Sequence, residues 1–113
     1  MRPLSPSDLR EFIRSQIVPS ELSERYPQVA IAIEGLFKED GLSGFAVANI
    51  RHQVTQFLVG KSSTKSMTES EVSVLLRWTM DREMARKEAW KIVEEIAVEN
   101  GQRTLWEDEC IND

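Results

Sequence analysis

From Glu69 to Glu99 the chain runs for thirty-one positions without a proline or a glycine. As one α-helix rising 1.5 Å per residue, that run would measure roughly 46 Å. A folded domain of this length has a radius of gyration near 13 Å, hence a diameter of about 35 Å. The run therefore either breaks or projects beyond the body of the fold and pairs with a partner. The residue pattern favours a break near 79–81. Val72, Leu75, Leu76 and Thr79 mark one stripe, Ala85, Ala89, Ile92, Val93 and Ile96 mark another, and the charged Arg82-Glu83 lies between them. Asp81 is well placed to cap the second of two helices.

The rest of the chain also reads as helix, cut by familiar punctuation. Ser5-Pro6-Ser7-Asp8 is a helix start, with Ser5 as the cap, Pro6 in the first helical position and Asp8 in the electropositive first turn. Leu9, Phe12, Ile13 and Ile17 follow at helical spacing, and Pro19 stops the helix. Ser20 then predicts a cap for a short helix over Glu21 to Tyr26, ending before Pro27. Gln28 to Lys38 follows, with Val29, Ala32, Ile33, Leu36 and Phe37 inward. Its Val29–Ile33 run has strand character, but the Ile33/Phe37 pairing favours helix. Gly41 breaks the chain, Ser43 caps a helix over Gly44 to Val59, and Gly60 ends it. The polar run Lys61 to Ser66 predicts a mobile loop. Thr68-Glu69-Ser70-Glu71 is a capping-box pattern. Beyond Gly101, Thr104 to Glu107 repeats that spacing and predicts a short helical turn, with a strand over Arg103 to Trp106 as the alternative.

The 113 residues predict a single domain, 1–113. One Cys and one His are too few for an intramolecular disulfide or a Cys/His zinc site within this chain. No stretch approaches the about 20 apolar residues of a membrane span. Met1 to Pro6 has no apolar run behind it, so neither a secretory signal nor a membrane anchor is expected, and the cytoplasm is the default compartment.

Candidate chemistry is sparse. His52 has no nucleophile beside it in sequence, and no Gly-x-Ser-x-Gly elbow exists. Gly60-Lys61-Ser62 lacks the earlier glycine of a phosphate-binding loop, because that position is Thr55. The Glu and Asp pairs sit among Arg86, Lys87 and Lys91 at helical distances and read as a solvated face. No enzyme, cofactor or metal is expected from this pattern.

Charge distribution is more informative than its total of -5. Residues 41–68 hold Arg51, Lys61 and Lys65 and no acid, where the chain's average would place about five acids. The helix–turn–helix outline over about 31–59 sets Asn49, His52, Gln53 and Gln56 on one helix face. Asn and Gln amides can read adenine edges, and Arg51, Lys61 and Lys65 could hold phosphates. The other concentration is aromatic: Trp78, Trp90 and Trp106 all fall in the last third of the chain. An exposed Trp patch marks a protein contact.

One local resemblance involves the same region. Met84-Ala85-Arg86-Lys87 followed by Val93-Glu94-Glu95-Ile96-Ala97-Val98-Glu99-Asn100-Gly101 is similar to the small helical domain that ends one subunit of light-independent protochlorophyllide reductase. That domain carries a comparable Arg and then an Ile-Glu-x-x-Ala-x-x-x-Gly stretch. The similarity covers fewer than 20 residues. The Trp-Thr and Pro-Phe elements that precede it in that domain have no counterpart, since Trp78-Thr79 is too close and no Pro follows. No family is assigned from it.

The expectation is thus an all-α bundle of five or six helices, with residues 69–99 broken near 79–81. The expected role is that of a small non-enzymatic regulatory or adaptor protein. Its partner would be another protein, or a second copy in a homodimer, bound through the C-terminal helices and Trp78, Trp90 and Trp106. The alternative is a nucleic-acid-binding regulator that uses segment 31–59 and the basic loop 60–66.

Overall fold

Four of the five described helices begin where a side chain satisfies loose backbone N–H groups. A computed structural model describes residues 2–99. Helix α1 spans Pro6–Gln16, and the Ser5 hydroxyl accepts from Asp8 N at 3.2 Å. Helix α2 spans Tyr26–Gly35, and α3 spans Gly44–Val59 with Ser43 Oγ accepting from Ala46 N at 3.1 Å. Gly60 closes α3 at φ 75°, a left-handed conformation that costs glycine little. Arg14 of α1 covers the same end, donating through Nε to Leu58 O at 2.9 Å and through Nη2 to Phe57 O at 3.3 Å. A cation suits that electronegative terminus.

Helix α4 spans Glu69–Met80 and carries the complete capping box, with Thr68 Oγ1 accepting from Glu71 N and Glu71 accepting from Thr68 N. Helix α5 spans Arg82–Glu99. The long run therefore breaks at one residue, Asp81, whose Oδ1 accepts from Met84 N at 3.3 Å. The break lets both halves face inward. Val72, Val74 and Leu75 of α4 are buried, and so are Ala85, Ala89 and Ile92 of α5. They join Leu9, Ile13, Val29, Ile33, Phe37, Val54 and Leu58 in one core. Each large apolar side chain so buried contributes about 1.5–3 kcal/mol. Helices α1, α2 and α5 each pack against both α3 and α4. Among the described residues there are five α-helices, two 3-10 turns and no strand.

Two segments depart from their expected conformation, for one reason each. Glu21 to Tyr26 is not a helix. Its backbone is used elsewhere: Ser23 N donates to Met67 O at 2.9 Å, and Glu21 O accepts from Glu69 N at 2.8 Å, around an antiparallel bridge of Leu22 with Thr68. Ser20 is a cap, but for α4, where its hydroxyl accepts from Ser70 N at 2.9 Å. Pro27 then sits in the first turn of α2 and starts a helix instead of stopping one. Likewise 61–66 is not a loose polar loop. It turns through a 3-10 segment, Thr64–Ser66, with Thr64 buried and Met67 fully enclosed. The short turn over Thr104 to Glu107 and its strand alternative lie outside the described residues.

Candidate functional site

Residues 41–68 contain no acid in sequence, yet the fold brings acids to them. Arg51 Nε lies 2.6 Å from Glu34 Oε2 on α2. Lys61 Nζ lies 2.7 Å from Glu71 Oε1 on α4 and also donates to Ser66 O at 3.1 Å. Two of the three cations are therefore neutralised from outside the segment, and Lys65 remains exposed. On α3, Asn49, His52 and Gln56 are exposed and Gln53 is half-buried. His52 Nδ1 is 2.7 Å from Ser62 O, which also accepts from Thr55 Oγ1 at 3.3 Å. The ring thus holds the turn after α3. At the N-terminal end of this face stands Phe45, 86% exposed.

Trp78 and Trp90 are half-buried and packed against the core. Trp78 Nε1 donates to Glu88 Oε1 at 3.0 Å, and Glu88 Oε2 accepts from Leu4 N at 2.8 Å. That pair of bonds ties α4, α5 and the segment before α1 together, and it satisfies a buried carboxylate. Trp90 meets Phe37 edge to face, with centroids 5.1 Å apart. Arg86 pairs with Asp40 beside it. Trp106 lies outside the described residues.

Surface depressions flank α4. Between α4 and the Arg25 backbone segment lies an open depression of about 530 Å³, lined by Arg25, Ser73, Leu76, Arg77, Thr79 and Met80. It adjoins, at Thr79, a second of about 300 Å³ between α2 and the α4–α5 joint, lined by residues that include Ile31, Leu36, Lys38 and Arg82. Together they make a groove whose lining includes Ile31, Leu76 and Met80, with Met80 81% and Ile31 69% exposed. Its rim carries Arg25, Lys38, Arg77 and Arg82, and among the described residues no carboxylate lines it. Arg25 is held by Glu69 through Nη2 at 2.6 Å, and Arg82 donates to Gly35 O at 2.9 Å and lies 3.9 Å from Glu39. Among the described residues Lys38 and Arg77 have no ion-pair partner. On the other side of α4, Phe12, Ile13, Val74 and Trp78 line a cleft of about 240 Å³. Phe12, placed inward by its spacing, is 57% exposed there.

Arg25 and Glu69 shift one another's titration. Hydrogen bonds from Arg25 and from Ser23 Oγ, at 2.5 Å, hold the Glu69 carboxyl below its ordinary range, and the carboxylate in turn raises Arg25.

Periodicity did not single out the groove. Ile31 and Met80 sit off the buried stripes of α2 and α4, and the four cations are scattered from 25 to 82 in sequence. The available signal was negative: Ile31 and Met80 are large apolar residues for which the core stripes had no place. Among the described residues, no helix is long and apolar enough to cross a membrane. Nor does any group of three His, Cys, Asp or Glu side chains lie close enough to hold a metal ion. No family model matches the chain, and neither a curated protein nor a solved structure matches it.

Proposed function

We propose that this chain is a small non-enzymatic regulatory or adaptor protein that binds another protein through its C-terminal helices, with α4 as the main contact element. The observation that carries this reading is the groove between α2 and α4. It offers Ile31, Leu76 and Met80 beside four cations and, among the described residues, no lining carboxylate, on a chain whose net charge is -5. Exposed apolar side chains ringed by charge are the anatomy of a contact site. Trp78 lines a separate cleft on the far side of α4. The use of His52 to hold a loop carbonyl supports a binding role over a catalytic one. The test is a photo-crosslinking residue in place of Met80, with Ser7 as an exposed control. A protein adduct from position 80 and not from 7 is expected. The same adducts from both sites, or none from 80, would remove the reading.

The nucleic-acid alternative keeps one supporting observation, the exposed polar row of Asn49, His52 and Gln56 on α3. Against it, Arg51 and Lys61 already have carboxylate partners. A duplex titration at about 50 mM salt decides it, since phosphate contacts are strongest at low salt. Binding that weakens in Asn49→Ala would restore this alternative.

A further inference from the structure

The chain itself encodes an occupant suited to the α2/α4 groove. Residues 100–113 contain Leu105, Trp106 and Ile111 with Glu107, Asp108, Glu109 and Asp113, against a single cation, Arg103. That is an acidic, aromatic-bearing segment, complementary in both respects to a groove with apolar side chains in its lining and a cationic rim. We propose that the 104–111 segment of a second copy docks in this groove, and that two chains exchange these segments to form a symmetric dimer. The inference rests on reading the groove as a protein-docking surface.

Reach favours a second copy over the same chain. Arg82 lines the groove and opens α5, whose other end, Glu99, lies about 26 Å away at 1.5 Å per residue. Trp106 is seven residues further on, and seven residues pulled straight span at most about 25 Å. Within one chain, Trp106 reaches the Arg82 end of the groove only if every connecting residue is drawn out straight back along α5. A segment from a second copy has no such tether. In the exchanged arrangement Leu105 and Trp106 cover Ile31, Leu76 and Met80, and Glu107 to Glu109 face Lys38 and Arg77, the two rim cations with no partner of their own among the described residues. One Trp hides about 150–250 Å², and two-fold exchange makes every such contact twice.

The test uses full-length chains and charge reversal on each side. One variant carries Lys38→Glu with Arg77→Glu, and the other carries Glu107→Lys with Glu109→Lys. Lys38 and Arg77 lie neither in the core nor in an ion pair of the described residues. Sedimentation at micromolar concentration is expected to show a dimer for the unaltered chain. Each variant alone should weaken dimerisation by at least about tenfold, and so should Trp106→Ala. Mixing the two charge variants should restore a dimer that contains one of each. That result places the segment of one chain on the groove of the other. A unaltered chain that stays monomeric, or a dimer that all three variants leave intact, overturns the inference. Crosslinking at Met80 separates this outcome from failure of the broader reading. A monomer that still gives a specific adduct with another protein at position 80 retains the docking surface and loses only the second copy.

Discussion

Two acid-poor regions of this molecule look alike as charge patterns and behave oppositely in space. Segment 41–68 is acid-free along the sequence, but Glu34 and Glu71 reach it from α2 and α4 and neutralise Arg51 and Lys61. The α2/α4 groove is assembled from residues spread between 25 and 82, with several acids interleaved in sequence, yet none of them lines it. An acid-free stretch of chain is therefore not an acid-free surface. The first region uses its cations to hold the fold together. The second leaves Lys38 and Arg77 available to a ligand.

The contrast can be broken experimentally, most forcefully at Glu71. Glu71→Ala removes the capping box and the carboxylate that meets Lys61, with Thr68 N left unsatisfied. A loss of about 2–3 kcal/mol is expected in urea unfolding. A loss no larger than that of a surface substitution would mean that Lys61 is not a structural cation. Glu34→Gln should cost less, about 1 kcal/mol, because the Arg51 pair is only partly buried and a neutral amide keeps one hydrogen bond. It should also remove the charge that offsets Arg51, so that duplex affinity at low salt rises above that of the unaltered chain. Unchanged affinity would show that neutralisation by Glu34 is not what quiets α3.

Smaller effects are expected at the groove. Met80→Ser and Ile31→Ser should each shift stability by less than about 0.5 kcal/mol, since both side chains are solvent-facing. Both should weaken the dimer, and Ile31→Ser should also weaken the crosslink made from position 80. Large destabilisation would show that these side chains belong to the core. The smallest effect is a pH dependence at the groove's edge. The Glu69 carboxyl is held below its unfolded value by Arg25 and Ser23. Its stabilising contribution is present above the ordinary carboxylate range, near about 4, and is lost as pH falls through the lowered value. The melting-temperature gap between the unaltered chain and Glu69→Gln should therefore narrow on acidification. It should stay small throughout, because both partners are nearly half exposed and solvent screens them.

Local chemistry made much of the fold legible. Ser43 and Gly60 bound α3 at the residues their backbone chemistry favours, and Thr68 with Glu71 opened α4 as the spacing implied. The break at Asp81 followed from a helix too long for its domain. What stayed hidden was long-range service by residues with an ordinary local reading. Ser20 resembles the cap of its own helix and caps α4 instead, fifty residues away. Arg51 and Lys61 resemble phosphate ligands until Glu34 and Glu71 arrive. The groove was hidden for the same reason, since Ile31 and Met80 are unremarkable until two helices set them side by side. Trp78 and Trp90 were visible as notable residues, but composition could not reveal that each has a partner inside the fold, Glu88 and Phe37.

The single-residue joint at Asp81 also limits how this chain can vary. Helical side chains advance by about 100° per residue, so the inward faces of α4 and α5 coincide only for a connection of this length. Insertion or deletion of one residue there would rotate Ala85, Ala89 and Ile92 away from the core by more than a quarter turn. Substitutions can accumulate along 69–99 one at a time, whereas changes of length cannot. A homologous chain should therefore preserve the number of residues between Leu75 and Ala85 more strictly than their identities, and length changes should collect in the connection between α2 and α3.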